Sequence, residues 1–158
     1  MKITMTCLAA VLALASQPAH AATAKGGSAL ALATLVADQS PGLGGTERRL
    51  LKRLLNGRSN VRYSGKVSVE ADSVVCRVSN VDITSRSCNL VFGKEMIAIT
   101  GRRSHELFAT QVEVGVQPEG AAGSMIAGIK NLKCTIDPQE IKQKAGGGAD
   151  CTFDPGAP

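Results

Sequence analysis

The chain has 158 residues, with 18 Lys plus Arg against 13 Asp plus Glu for a formal charge of +5, and 44% of its residues are hydrophobic. This mild basic bias is not a polybasic signature. With one tyrosine, three phenylalanines and no tryptophan, the chain lacks the exposed rings of a stacking platform, so neither a nucleobase nor a sugar site is expected and no nucleic-acid partner is implied.

The N-terminus carries Lys2 and then an uncharged apolar run, Cys7 to Ala15, which is too short to span a bilayer. Pro18 and the small residues Ala19 and Ala21 follow, the pattern of a signal peptide over residues 1–21 cleaved after Ala21. An N-terminal anchor is the alternative. A lipoprotein is disfavoured because Cys7 precedes the apolar stretch instead of closing it. No later stretch has the length of a transmembrane helix, so an integral membrane protein is not expected. Cleavage leaves 158 − 21 = 137 residues, enough for one domain with its own core. The expected compartment is the periplasm or the exterior.

In that compartment the remaining cysteines, Cys76, Cys88, Cys134 and Cys151, are expected to form two disulfides. Residues 22–45, rich in Ala, Gly and Leu, read as a flexible or partly helical segment with a short helix over 28–38. A single domain is expected over 46–158. Thr46 is a suitable N-cap, and Leu50, Leu51, Leu54 and Leu55 form one stripe of an amphipathic helix ended by Gly57.

From Gly65 the period changes to two. Val67 and Val69, then Val74, Cys76 and Val78, then Cys88, Leu90 and Phe92 read as three strands. A fourth, Glu95 to Thr100, follows the two-residue turn Gly93-Lys94, in which glycine suits a type II′ hairpin. Pairing Phe92 with Glu95 puts Leu90 opposite Ile97 and Cys88 opposite Ile99. A Cys76–Cys88 bridge then sets Val74 opposite Leu90, on the same apolar face. A slip of one residue would turn this whole set toward water, so bridge and register support one another.

Past Gly101 the spacing of Leu107, Phe108, Val112 and Val114 predicts a helix stopped by Gly115, capped by Ser104 or Thr100. Pro118, Ala122, Met125, Ile126 and Ile129 predict another, despite Gly120, Gly123 and Gly128. Leu132, Cys134 and Ile136 alternate as a strand, Asp137-Pro138-Gln139-Glu140 resembles a capped helical turn, and a last strand surrounds Cys151. A Cys134–Cys151 bridge would put Leu132 opposite Phe153. The expected fold is thus α+β: an antiparallel sheet of about five or six strands with helices packed on one face.

Catalytic patterns are absent. Once His20 leaves with the signal, His105 is the only histidine, which excludes a multi-imidazole metal site, and oxidised cysteines are poor ligands. No G-x-S-x-G context accompanies His105, whose simplest reading is a boundary residue bonded locally; a hydrolase built on it is the least favoured function. Glu70 with Asp72, and Glu106 with Glu113, are carboxylate pairs without distinctive context. Neither Gly120-Ala121-Ala122-Gly123-Ser124 nor Gly146-Gly147-Gly148 is followed by the Gly-Lys-Ser/Thr of a phosphate loop. No cofactor or metal is expected.

The most specific surface feature is basic. Arg48, Arg49, Lys52 and Arg53 lie opposite the leucines of the 46–56 helix, with Arg58 and Arg62 close behind. Such a face suits acidic lipid, polysaccharide or protein, although a solvated face over a leucine-lined core is the simpler reading. Arg102 and Arg103, at the start of the later helix, form a second cationic place where free N–H groups already favour anions. The expected function is a non-enzymatic exported interaction domain, its partner either a protein or an anionic envelope surface.

Overall fold

The computed structural model describes residues 21–58, 60–79, 85–120 and 123–156. Residues 1–20 of the expected leader lie outside these residues. The elements run β1 (Ala22–Lys25), α1 (Gly26–Ala37), α2 (Gly45–Leu55), β2 (Val67–Ser79), β3 (Arg86–Phe92), β4 (Glu95–Thr100), α3 (Arg102–Glu113), β5 (Ser124–Ile136), α4 (Pro138–Gln143) and β6 (Ala149–Pro155). Their six strands form one antiparallel sheet in the order β1-β6-β5-β2-β3-β4. Helices α1 and α3 both contact the sheet and each other, and α2 packs on α1. The α+β class, the antiparallel sheet and both cystines agree with the sequence reading.

The hairpin has the expected register. Phe92 faces Glu95, Leu90 faces Ile97 and Cys88 faces Ile99 across β3 and β4, and Gly93 takes the positive φ of 61° that the turn requires. On the other side of β3, Val74 faces Leu90 and Cys76 faces Cys88. The Cys76–Cys88 and Cys134–Cys151 bridges both join Cα atoms 4.0 Å apart. That separation marks non-hydrogen-bonded pairs, whose backbone groups point away from each other. Both cystines are buried.

Two element assignments are corrected. The stretches around Val67 and Val74, read as separate strands, are one strand, β2. Its buried positions are Val67, Val69 and Ala71, then Val74, Cys76 and Val78, so the apolar phase slips by one residue at Asp72 while the register with β5 is the same on either side. The phase of β5 slips opposite, from Ile136, Cys134 and Leu132 to Ile129 and Ala127. Asn131 stands at the break with φ 53°, and the ladder to β6 shifts between Lys130 and Lys133. Leu132 and Phe153, expected to face one another, are both buried beside this irregularity.

The second correction concerns the helix expected from Pro118 to Ile129. Ser124 onward belongs to β5, with Met125 opposite Val78, Ala127 opposite Cys76 and Ile129 opposite Val74. Gly128 and Gly123 weaken a helix, whereas cross-strand pairing with β2 buries Ala127 and Ile129 and half-buries Met125.

The segment before Gly45 is well integrated. Strand β1 pairs Ala22 with Phe153 and Ala24 with Cys151. Helix α1, expected at 28–38, spans Gly26–Ala37 and buries Ala29, Leu30, Leu32, Ala33, Thr34, Val36 and Ala37. A helix apolar around most of its girth belongs at the centre of a core, and α1 touches the sheet, α2 and α3. The capped turn forms as expected, with the Asp137 carboxylate accepting from the Gln139 and Glu140 N–H groups. The other expected caps differ: Gly44, not Thr46, is the N-cap of α2, and Gly101 that of α3.

Candidate functional site

Helix α2 buries Leu50, Leu51 and Leu54 and leaves Leu55 exposed, so its basic arc faces outward as its amphipathic pattern requires. Its cations have different roles. The Arg48 guanidinium donates to the Ser40 carbonyl and is half-buried. Lys52 Nζ lies 2.7 Å from Asp38 Oδ1. Both therefore tie α2 to the end of α1. Arg49 and Arg53 are exposed, Arg49 Nε donating to the Gly45 carbonyl at 3.3 Å.

The chain then leaves α2 through Gly57, at φ 75°, and returns alongside it. Val61 is buried, while α4 holds this return: Gln139 Nε2 donates to the Tyr63 carbonyl at 3.0 Å and Lys142 Nζ to the Val61 carbonyl. Arg62 is thus held beside α2. Thr46, Arg49, Leu50, Arg53, Val61, Arg62 and Tyr63 line one cleft of about 220 Å³. Three guanidiniums and a threonine side chain can offer donors to a single anionic group, and arginine's planar fork suits carboxylate and phosphate oxygens. A carboxylate stands nearby, since the Tyr63 hydroxyl donates to Glu47 Oε1 at 3.5 Å. Arg62 and Tyr63 complete the cleft through the return of the chain, which the helical period of 46–56 does not reveal.

The second cationic place is less concentrated. Arg102 Nε pairs with Glu106 Oε1 at 2.9 Å, with the Arg102 side chain 90% exposed. Arg103 is exposed. The Ser104 hydroxyl, instead of capping α3, donates to the carbonyls of Gly101 and Arg86. His105 is exposed with its Nδ1 against the Arg86 guanidinium, a local partner of the kind expected for a boundary histidine. Of the carboxylate pair Glu106 and Glu113, Glu106 serves Arg102 while Glu113 faces solvent.

Glu70 and Asp72 line a larger cleft of about 530 Å³ with Ser40, Leu43, Phe92, Asn131 and Lys133. Asp72 accepts from the Gly93 N–H, which fixes the tip of the β3–β4 hairpin to β2, and Lys133 stands opposite Glu70 in the ladder. Among the described residues no group of three or more His, Cys, Asp or Glu side chains could hold a metal ion. Of the glycine-rich segments, Gly148 packs tightly on Asp137 and Ile141, a structural close approach. No helix among the described residues is long and apolar enough to cross a membrane.

Compared with known protein families, with curated proteins and with solved structures, the chain matches none.

Proposed function

We propose that this protein is an exported, non-enzymatic interaction domain that holds an acidic partner at the arginine cleft beside α2. The observation carrying this reading is that Arg49, Arg53 and Arg62 line one cleft, whereas Arg48 and Lys52 are engaged within the fold. The two buried cystines are compatible with a periplasmic or extracellular site of action. Cleavage after Ala21 would leave β1, which begins at Ala22, whole. The partner is either an acidic protein surface or an anionic lipid or polysaccharide, and the same three arginines serve both. A hydrolytic role for His105 has less support, because its contact is the Arg86 cation.

Retention of the exported, oxidised protein on anionic vesicles through a salt series tests the surface-binding form. Arginines near an acidic membrane are worth about 1 kcal/mol each. Arg49→Glu, Arg53→Glu and Arg62→Glu combined should therefore weaken retention by two orders of magnitude or more, roughly. Steep loss with salt in the native protein, and none to lose in the variant, supports a surface. Absence of binding at low salt refutes that form and leaves the protein partner, which cross-linking in the envelope must then capture through residues around the cleft. Equal capture by the triple variant would refute the cleft altogether.

A further inference from the structure

The two edges of the sheet differ. Strand β1 is four residues long and ends on Lys25, the kind of short, charged edge that resists pairing. Strand β4 has six residues, Glu-Met-Ile-Ala-Ile-Thr, without proline and with a single charge at its end. Met96 on it is 68% exposed. Nothing in β4 blunts the edge.

The direction of its backbone groups follows from the disulfide. Cys76 and Cys88 are a non-hydrogen-bonded pair, their Cα atoms 4.0 Å apart. Cys88 therefore directs its N–H and C=O toward β4, and by alternation so do Leu90 and Phe92. Their partners Ile99, Ile97 and Glu95 are the residues of β4 bonded inward. The two-residue turn leads to the same assignment, because it closes on a hydrogen-bonded Phe92–Glu95 pair. Met96, Ala98 and Thr100 are left with N–H and C=O directed out of the sheet, and no partner for them occurs among the described residues.

We propose that β4 pairs with β4 of a second copy, extending both sheets across a two-fold axis at Ala98. A two-fold perpendicular to a sheet keeps each side chain on its own face, so paired residues must be of the same parity. Outward hydrogen bonding requires that the bonded pairs be even-numbered. Ala98 opposite Ala98 and Met96 opposite Thr100 meet both conditions and use all three outward residues. The same register sets Ile97 opposite Ile99 on the helix face, where both are half-buried in one copy. Ala98 at the axis offers no steric bar. Glu95 falls opposite Gly101, beside Arg102 and Arg103 at the positive start of α3, and symmetry repeats this charge match at the other end. The partner is a second copy because this edge complements itself in hydrogen-bonding register and in charge.

The exported, oxidised protein is examined by sedimentation equilibrium and by amide hydrogen exchange over a concentration series. Dimerisation should appear with concentration, and the Met96, Ala98 and Thr100 amides should become protected in step with it. Ala98→Pro removes the axial donor at an outward position, which an edge strand tolerates. It should weaken association roughly tenfold or more while the cystines and circular dichroism stay native. Were Ala98→Pro to misfold, Met96→Lys, which adds charge beside the ladder without touching the backbone, should weaken association in the same direction. A native protein that stays monomeric with these amides freely exchanging, or a dimer in which they remain unprotected or which neither substitution weakens, overturns the proposal.

Discussion

Lys52 Nζ and Asp38 Oδ1 lie 2.7 Å apart, joining the outer face of α2 to the C-terminus of α1. Asp38 is the C-cap of α1, where a carboxylate opposes the helix dipole. Lys52 offsets that repulsion. The Asp38 side chain is 17% exposed but that of Lys52 is 50%, so solvent screens the pair and its worth is about 0.5–1 kcal/mol. Lys52→Glu should lower the unfolding free energy measured in urea by that order, while Arg53→Glu, one residue on and without an ion-pair partner among the described residues, should leave it within about 0.5 kcal/mol. Equal effects on stability would mean that the two cations are equivalent and that the division of the basic face is wrong.

The disulfides join neighbouring strands within short loops. Removing either bridge by paired Cys→Ala substitution should cost about 2–4 kcal/mol, measured by denaturant unfolding against the native protein. A non-reducing peptide map should recover Cys76 joined to Cys88 and Cys134 joined to Cys151. A fragment joining Cys76 to Cys134 would contradict the register of the whole sheet.

The register around Cys76 was legible in the sequence because period two, a two-residue turn and a cystine each constrained it independently. Strand β5 was not, because Ala122, Met125, Ile126 and Ile129 also satisfy a helical period. Local spacing does not reveal that β2 pairs with Met125, Ile126 and Ile129 from across the sheet. The opposite slips of phase at Asp72 and Asn131 had the same effect on β2, since a strand that changes its buried parity midway reads as two strands. At the candidate site, the arginines of α2 could be read from the helix stripe. That Arg48 and Lys52 are tied to Ser40 and Asp38, and that Arg62 comes back beside Arg49, depends on the packing of α1 and α4, which no periodicity records.

Gly148 joins α4 to β6 at φ 81°, and a Cβ there would stand 2.7 Å from the Asp137 carbonyl oxygen and from Ile141. Its own carbonyl accepts from the Asp137 N–H at 2.7 Å. Gly148→Ala should therefore combine a left-handed backbone penalty with a backbone clash and cost more than about 2 kcal/mol. Gly57→Ala, also at positive φ but with open space around its Cβ, isolates the first contribution at about 1 kcal/mol. Comparable losses in the two variants by thermal unfolding would show that the Asp137–Gly148 approach relaxes at little cost.

Asn131 combines a φ of 53° with a 2.8 Å bond from its Nδ2 to Asp154 Oδ2, at the point where both central strands change their buried parity. Asparagine tolerates the left-handed region better than a branched residue. Asn131→Val should lose both advantages and destabilise the fold by about 2–3 kcal/mol, since β-branching resists that conformation and the Asp154 carboxylate loses its donor. Asn131→Gly keeps the conformation and loses only the exposed bond, so its cost should stay near or below about 1 kcal/mol. The order of the two variants carries the argument: valine is the better strand former, and if it proved the more stable replacement, Asn131 would not be setting the change of face in β5.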